Sequence, residues 1–418
     1  MKPRGTVRAS GIGRNVILVG CVSLFTDLSS QMVFPLIPLF MASVLSAPAF
    51  AIGLIEGAAE SIAALLKVVS GVWSDRVRRR KPFLLAGYTF SGFVKPLFAF
   101  ASSWPQVLLI RAVERMGKGL RNAPRDALVA ESCKPDQLGR AFGLQRAMDG
   151  VGSVIGALTG AALMVFLQGS VEEVYRQIFL LSLLPAALAT LAILAIKETA
   201  PLETLGSQEL QRVAERVVEC AAERPGQHFS RLRLRDLPPR LRLFMVASSV
   251  FALGHFGYAF LLLRARDVGL SDTRAIVLYA GFYLVYAAAS MPLGALSDRV
   301  GRKAYLIAGY SLFAATSIVL FFASSLVGVI VAFAIYGVSY AIVDGGQKAF
   351  VVDLCPPHLK ATALGAFYTS IGLFAMPGGF IAGLLWEAVN PQATFLYGCF
   401  LAAIAVWLVV RIDTRTHA

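Results

Sequence analysis

One charged segment is written twice in this chain, and each copy sits between long apolar runs. Residues 71–81 read G-V-W-S-D-R-V-R-R-R-K, and residues 294–303 read G-A-L-S-D-R-V-G-R-K. The aspartates of the two copies, Asp75 and Asp298, lie 223 positions apart in a chain of 418. A second pair of segments repeats the spacing. Ala127-x-x-x-Glu131-x-Cys133-x-Pro135, followed by Gly143 and Gly150, returns at an offset of 222 as Ala349-x-x-x-Asp353-x-Cys355-x-Pro357, followed by Gly365 and Gly372. Two regions with nearly one offset imply a chain built by duplication, with the same helices in the same order in each half.

The runs between these segments are membrane-like. The chain is 57% apolar and only 15% charged, with a mean hydropathy of +0.68, whereas a soluble chain carries about 25% charged residues. A membrane-spanning helix needs about 20 mostly apolar residues. Twelve segments qualify as candidates: 15–41, 50–73, 83–101, 105–130, 141–167 and 178–196, then 241–263, 275–294, 304–323, 326–352, 361–386 and 393–410. The expected fold is therefore an all-α integral membrane protein of about twelve transmembrane helices in two pseudo-symmetric six-helix bundles. The bundles are residues 1–196 and 241–418, joined by a cytoplasmic linker at 197–240. Leu210, Val213, Val217 and Cys220 follow helical spacing inside that linker and predict a short amphipathic helix. Arg231, Arg233, Arg235 and Arg240 follow it, either against anionic lipid headgroups or as a solvated basic stretch.

Net charge is +14. The basic residues gather in alternate loops, which reads as membrane topology rather than nucleic-acid binding. The positive-inside rule places both termini and the linker in the cytoplasm, in a bacterial-type inner membrane. Arg264, Arg266 and Arg274 break the pattern on the outer side. Lys2, Arg4, Arg8 and Arg14 precede an apolar run too long for a signal peptide, so the run is expected to remain as the first helix. The five cysteines are scattered and show neither a disulfide framework nor a metal-binding spacing, so no metal site is expected.

Charge at mid-bilayer is costly unless it meets a partner or a wet cavity. The first half nevertheless carries much of it. Asp27 stands beside Ser29, Ser30 and Gln31 in the first helix, and Glu56, Glu60 and Lys67 share one face of the second. Lys95 lies in the third. In the fourth, Arg111, Arg115, Lys118, Asn122 and Arg125 form a stripe beside Glu114, Arg121 and Asp126. Arg146 and Asp149, one turn apart in the fifth, read as a local pair. The second half offers His255, Asp344, Gln347 and Lys348, with hydroxyls from Tyr336, Tyr340 and Tyr368. These groups are read either as a bracing charge network or as a binding site for substrate and protons. The candidates for binding are Asp27, Glu56, Glu60, Arg111, Arg115, Lys118, Arg146, Asp149, His255 and Asp344.

The duplicated turn resembles a motif of the major facilitator superfamily, G-x-x-x-D-R-x-G-R-R/K. That family carries it between its second and third helices and again between its eighth and ninth. The matching residues are Gly71, Asp75, Arg76 and Arg79, then Gly294, Asp298, Arg299 and Arg302, with Arg78 where the first copy lacks its glycine. The resemblance implies a conformational latch that holds one face shut. Arg111 with Gly117 and Gly119 is similar to the family's fourth-helix pattern R-x-x-x-G-x-G-x-G, with Arg115 at the first glycine, which implies a part for Arg111 in proton transfer. Gly152-x-x-x-Gly156-Ala157-x-x-Gly160 resembles the glycine-rich pattern of the family's antiporters, with Ala157 in place of proline. Met376-Pro377-Gly378-Gly379 predicts a kink in the eleventh helix.

The resemblance implies a monomeric secondary transporter working by alternating access, powered by a proton gradient and needing no cofactor. Its partners would be a small-molecule substrate, protons and membrane lipid. Proton-coupled export of a small organic or drug-like solute is the first expectation. Proton-coupled import of a small organic anion is the alternative that the basic fourth helix favours. A metal-ion transporter or a non-transporting membrane sensor stands further off. The sequence holds no phosphate loop, zincin pattern or nucleophile elbow, which argues against an enzyme or an ATP-driven pump.

Overall fold

A computed structural model describes residues 14–77, 80–133, 138–196, 237–356 and 359–413. The amphipathic helix expected in the linker lies outside the described residues. The first half contains six spans, all helical. The first runs Arg14–Val33 and resumes as Leu36–Ser43, interrupted at Pro35, whose ring disfavours helical geometry in the residue before it. Next come Ala49–Val77, then Lys81–Val94 continued by the 3-10 turn Lys95–Phe100, then Trp104–Glu131, Leu138–Phe166, and Val171–Leu181 with Leu183–Leu194. The second half repeats the plan. Its seventh span is Pro239–Gly254 and Gly257–Asp267, followed by Asp272–Val300, Arg302–Phe322, Leu326–Asp353, Lys360–Ala388 and Pro391–Val410. Gly257 (φ 69°) follows the break in the seventh span and Gly301 (φ 88°) joins the eighth span to the ninth, both in left-handed geometry that suits glycine.

Eleven of these spans are long and apolar enough to cross a membrane. The fourth has the length, 28 residues, but not the composition. The sixth begins at Val171, ahead of the expected residue 178, because Ser170 and Glu173 form a reciprocal capping box that starts the helix in polar sequence. The eleventh continues as one helix through Pro377.

Glycine governs the helix contacts. Gly152, Gly156 and Gly160 lay the fifth span on the backbone of the first at Leu24, Leu28 and Met32, and Gly378 sets the eleventh on Leu253 of the seventh in the same way. Between the halves, Gly53 meets the backbone of Gly379, Gly57 meets Ala375 and Met376, and Gly383 meets Ala49 and Phe50. A methyl group at Gly53, Gly57, Gly152, Gly156, Gly378 or Gly383 would strike main-chain atoms, and one at Gly160 would press on the Met32 carbonyl at 3.2 Å, the condition under which small residues bring membrane helices together.

The two ends of the molecule differ. At the end away from the termini, one apolar core runs through both halves, joining Phe40, Ile52 and Phe98 to Phe260, Ile276 and Leu320. Phe50 and Phe380 meet there edge to face at 5.9 Å, and the Tyr175 hydroxyl donates to Asp272 at 2.5 Å. Two of the three arginines that break the loop-charge pattern are used at this end. Arg264 donates to the carbonyls of Leu320 (3.3 Å) and Ala323 (2.8 Å) and pairs with Asp267, and Arg266 faces Asp272 at 3.7 Å. At the end carrying the termini, the first half keeps a separate small core around Val16, Leu84, Leu128 and Ile193. The halves are joined at the end away from the termini, and toward the other end a cavity lies between them, bridged by Lys67 to Tyr368 and Arg146 to Asp344.

Candidate functional site

The cavity has a volume of about 510 Å³ and is lined by both halves. Nine of the ten binding candidates line it: Asp27, Glu56, Glu60, Arg115, Lys118, Arg146, Asp149, His255 and Asp344. Arg111 does not. It is fully buried behind the wall, where it holds the wall's carboxylates in place.

The first half supplies the charged wall. Arg111 Nη2 donates to both oxygens of Glu56 at 3.2 Å and to the Tyr258 hydroxyl of the other half at 3.2 Å. Its Nη1 reaches Glu114 Oε2 at 3.5 Å. Arg115 Nε lies 3.5 Å from the same Glu114 oxygen, and its Nη2 lies 3.8 Å from Glu60. Both guanidinium groups stand over the Phe34 ring, at 3.8 and 4.9 Å from its centroid. The network is incompletely satisfied: among the described residues, Arg111 Nε, Glu114 Oε1 and both Nε and Nη1 of Arg115 are buried without a hydrogen-bond partner. The Glu60 side chain is 64% exposed although it lies mid-span, so it faces the open cavity.

Further along this wall, among the described residues, Asp27 and Lys118 line the cavity with neither an ion pair nor a hydrogen bond. Lys67 has the Tyr368 hydroxyl at 3.1 Å and the same ring at 4.3 Å. Arg121 donates to Ser91 and covers the Tyr88 ring at 4.4 Å. Lys95 lies outside the cavity, fully buried, donating to Ser29 (2.8 Å) and Ser30 (3.0 Å).

The expected pair of Arg146 with Asp149 is not formed. Arg146 instead crosses the cavity to Asp344 of the tenth span at 3.3 Å, where Lys348 (2.6 Å) and the Tyr286 hydroxyl (3.4 Å) also bind that carboxylate. Asp149 faces Arg125 at 3.8 Å. Spacing along one helix favoured the near neighbour, but the Arg146 side chain leaves its own helix for a carboxylate on the opposite wall.

The second half supplies rings. His255 Nε2 lies 3.3 Å from the Tyr336 hydroxyl and stacks on Phe313 with centroids 5.1 Å apart. Gln31 bridges the halves, accepting from the Tyr279 hydroxyl at 2.9 Å and donating to the Tyr283 hydroxyl at 2.8 Å. The repeat offsets relate the two walls directly. Glu56 and Glu60 plus 223 give Tyr279 and Tyr283, and Glu114 and Lys118 plus 222 give Tyr336 and Tyr340. Glu114, Gln31 and the eighth-span tyrosines Tyr279 and Tyr283 line the cavity beside the ten candidates. The signal for the tyrosines was this offset, applied residue by residue.

The duplicated turn proves to be out of register by one residue. The motif aligns Arg79 with Arg302, but Arg79 lies outside the described residues, as do the side chains of Asp75, Arg76 and Asp298. Arg302 donates to Asp353 at 2.6 Å and to the Ala349 carbonyl at 3.0 Å, tying the ninth span to the tenth. In the first half the matching tie is Arg80 to Glu131, at 3.2 and 3.1 Å. The next lysine behaves alike in both copies. Lys81 donates to the carbonyls of Leu194 and Ile196 at 3.0 and 2.6 Å, and Lys303 to those of Val410 and Ile412 at 2.9 and 2.7 Å. Gly71 and Gly294 lie within the second and eighth spans, and Arg299 is exposed near the end of the eighth.

Comparison with known families decides the larger question. The model of the major facilitator superfamily matches residues 19–264 and 242–418. The chain belongs to the major facilitator superfamily. It is a membrane transporter of that superfamily and not an enzyme. It is 36% identical over 407 residues to an uncharacterized MFS-type transporter of Methanocaldococcus jannaschii, covering 96% of this chain and 95% of that one. A shorter match, 30% over 184 residues, covers 43% of this chain and 45% of the multidrug resistance protein MdtH of Sodalis glossinidius. Among solved folds, a bacterial homologue of the human lysosomal transporter Spinster, inward-facing and occupied, superposes with a TM-score of 0.74 at 16% identity, over 98% of this chain and all of that one.

Proposed function

We propose that this superfamily member is a proton-coupled secondary transporter of a small organic anion, working by alternating access of its two halves around the cavity. The supporting observation is spare cationic capacity. Among the described residues, Lys118 is unpaired, Lys67 has no carboxylate partner, and Arg115 keeps Nη1 unbonded. Asp27 is the one cavity carboxylate named above that stands without a partner. Glu60 holds Arg115 only at 3.8 Å. An incoming carboxylate or phosphate displaces it and takes the guanidinium in bidentate fashion. Glu60, released from its cation, is then free to take a proton. Anion and proton load together, so an inward proton gradient drives inward movement of the substrate.

The basic loops lie at the end of the molecule that carries the termini, which argues that this end faces the cytoplasm of a bacterial-type inner membrane. On that orientation we read the arrangement as inward-facing. The protein acts as a monomer, with no cofactor beyond the gradient. The test is uptake of small organic anions into vesicles reconstituted with the protein, with and without an imposed proton gradient. Flux that ignores the gradient, or normal flux in both Glu60→Gln and Arg115→Ala, rejects the reading.

The partial match to MdtH favours a second reading, export of a small drug-like solute in exchange for protons. Cellular accumulation of fluorescent drugs, compared between strains lacking and overproducing the protein, separates the two.

A further inference from the structure

We infer that the transported anion carries a flat aromatic body, bound with its anionic group at Arg115 and Lys118 and its ring on the tyrosine wall. The inference rests on the anion reading above and adds to it the shape and chemistry of the rest of the substrate. Among the described residues, the cavity lining holds twelve phenylalanine and tyrosine side chains, with Val343 and Ile371 as the branched aliphatic residues and no leucine. A wall built for an aliphatic body would draw on the residues that dominate the rest of this apolar chain. Tyr340 is the most telling ring. It lies inside the tenth span, lines the cavity and is 36% exposed. Phe282, Tyr286 and Tyr336 pack around it at 5.7, 5.2 and 6.0 Å. Three neighbours fix its orientation while part of it remains open. Its hydroxyl has no hydrogen-bond partner among the described residues, so the ring is not held there to satisfy a polar group.

Lys118 is related to Tyr340 by the repeat offset of 222, so a cation and a ring occupy equivalent positions on the two walls. An aromatic anion fits between them, its charge toward the lysine and its ring edge or face toward the tyrosine. Offset or edge-to-face ring pairing improves affinity beyond area burial by a few-fold to about tenfold. A cavity of about 510 Å³ falls within the usual range for such ligands.

The test uses the purified full-length chain in lipid nanodiscs and calorimetric titration with three probes of similar size. They are 2-naphthoate, its fully saturated counterpart decahydro-2-naphthoate, and the neutral 2-naphthylmethanol. The expected result is that 2-naphthoate binds tightest, ahead of the saturated acid by about tenfold. In Tyr340→Leu that advantage falls to about twofold or less while the saturated acid binds as before. Phe282→Leu replaces that variant if it does not fold, with the same expectation. Equal binding of the two acids overturns the aromatic inference and leaves the anion reading standing. Binding of the neutral alcohol as tightly as 2-naphthoate overturns both. Absence of binding by all three overturns the aromatic inference, and in that case uptake of small aliphatic anions into vesicles decides the anion reading separately.

Discussion

At four cavity positions the second and fourth spans present Glu56, Glu60, Glu114 and Lys118, and the repeat-related positions of the eighth and tenth spans present Tyr279, Tyr283, Tyr336 and Tyr340. Elsewhere the halves agree closely. Both tie an arginine after the duplicated turn to an acid one span on, Arg80 to Glu131 and Arg302 to Asp353. Both anchor the following lysine on the carbonyls that end the sixth and twelfth spans. Both use a glycine to seat one span on the backbone of another, Gly156 on Leu28 and Gly378 on Leu253. What is present twice holds the scaffold together. At these four positions, what is present once faces the cavity, where the needs of the cargo enter.

That contrast can be attacked in order of expected effect. Arg115→Ala is the harshest change, because it strips a cation from Glu114, which is wholly buried. Breaking such a pair costs about 3–5 kcal/mol, to be read as a lower unfolding midpoint in detergent together with loss of uptake. Lys118→Met should separate function from stability. The lysine has no partner to orphan, so the unfolding midpoint stays within about 0.5 kcal/mol, while anion affinity falls by roughly tenfold or more, the worth of a charge-assisted hydrogen bond. A large loss of stability in Lys118→Met would place it in the brace instead. The symmetric ties should behave as equals. Arg80→Ala and Arg302→Ala each cost about 1 kcal/mol or less, since both pairs are partly exposed, and a pronounced inequality in their unfolding midpoints breaks the claim that they serve one purpose. Arg146→Ala is the mildest. Its bridge to Asp344 is exposed on the arginine side and worth at most about 1 kcal/mol. Its loss should raise the rate at which a cysteine placed at Ala63, a half-buried position of the cavity lining, reacts with a water-soluble maleimide.

Much of this was legible in the sequence because membrane physics is severe. Twelve long runs, the duplicated turn and charge at Asp27, Glu56, Glu60 and Lys118 admit few arrangements, and the structure places those four side chains around one cavity. Three-dimensional partnerships were not legible. Arg146 finds its acid 198 residues away, beyond any rule of helical spacing. Arg111 shares its stripe with Arg115 yet turns into protein, since a stripe gives a face but not the depth of each residue on it. The eighth-span tyrosines were hidden by their own chemistry, because tyrosine serves equally as core, as membrane-interface residue and as ligand contact. The one-residue slip between Arg79 and Arg80 arose because the first turn has Arg78 where the second has Gly301, and a run of three arginines offers no landmark for alignment.

The meeting of Gly53 with Gly379 has one more consequence. At that crossing main chain lies on main chain with the Phe260 ring beside it, so the second and eleventh spans meet there with little interlocking of side chains. On the alternating-access proposal, the angle between the halves would change with little repacking at this crossing, and the resistance to that change would lie in the rings and charges on either side. An added group as small as a methyl at that crossing would act as a doorstop, holding the sealed end ajar and leaving the rest of the machinery intact.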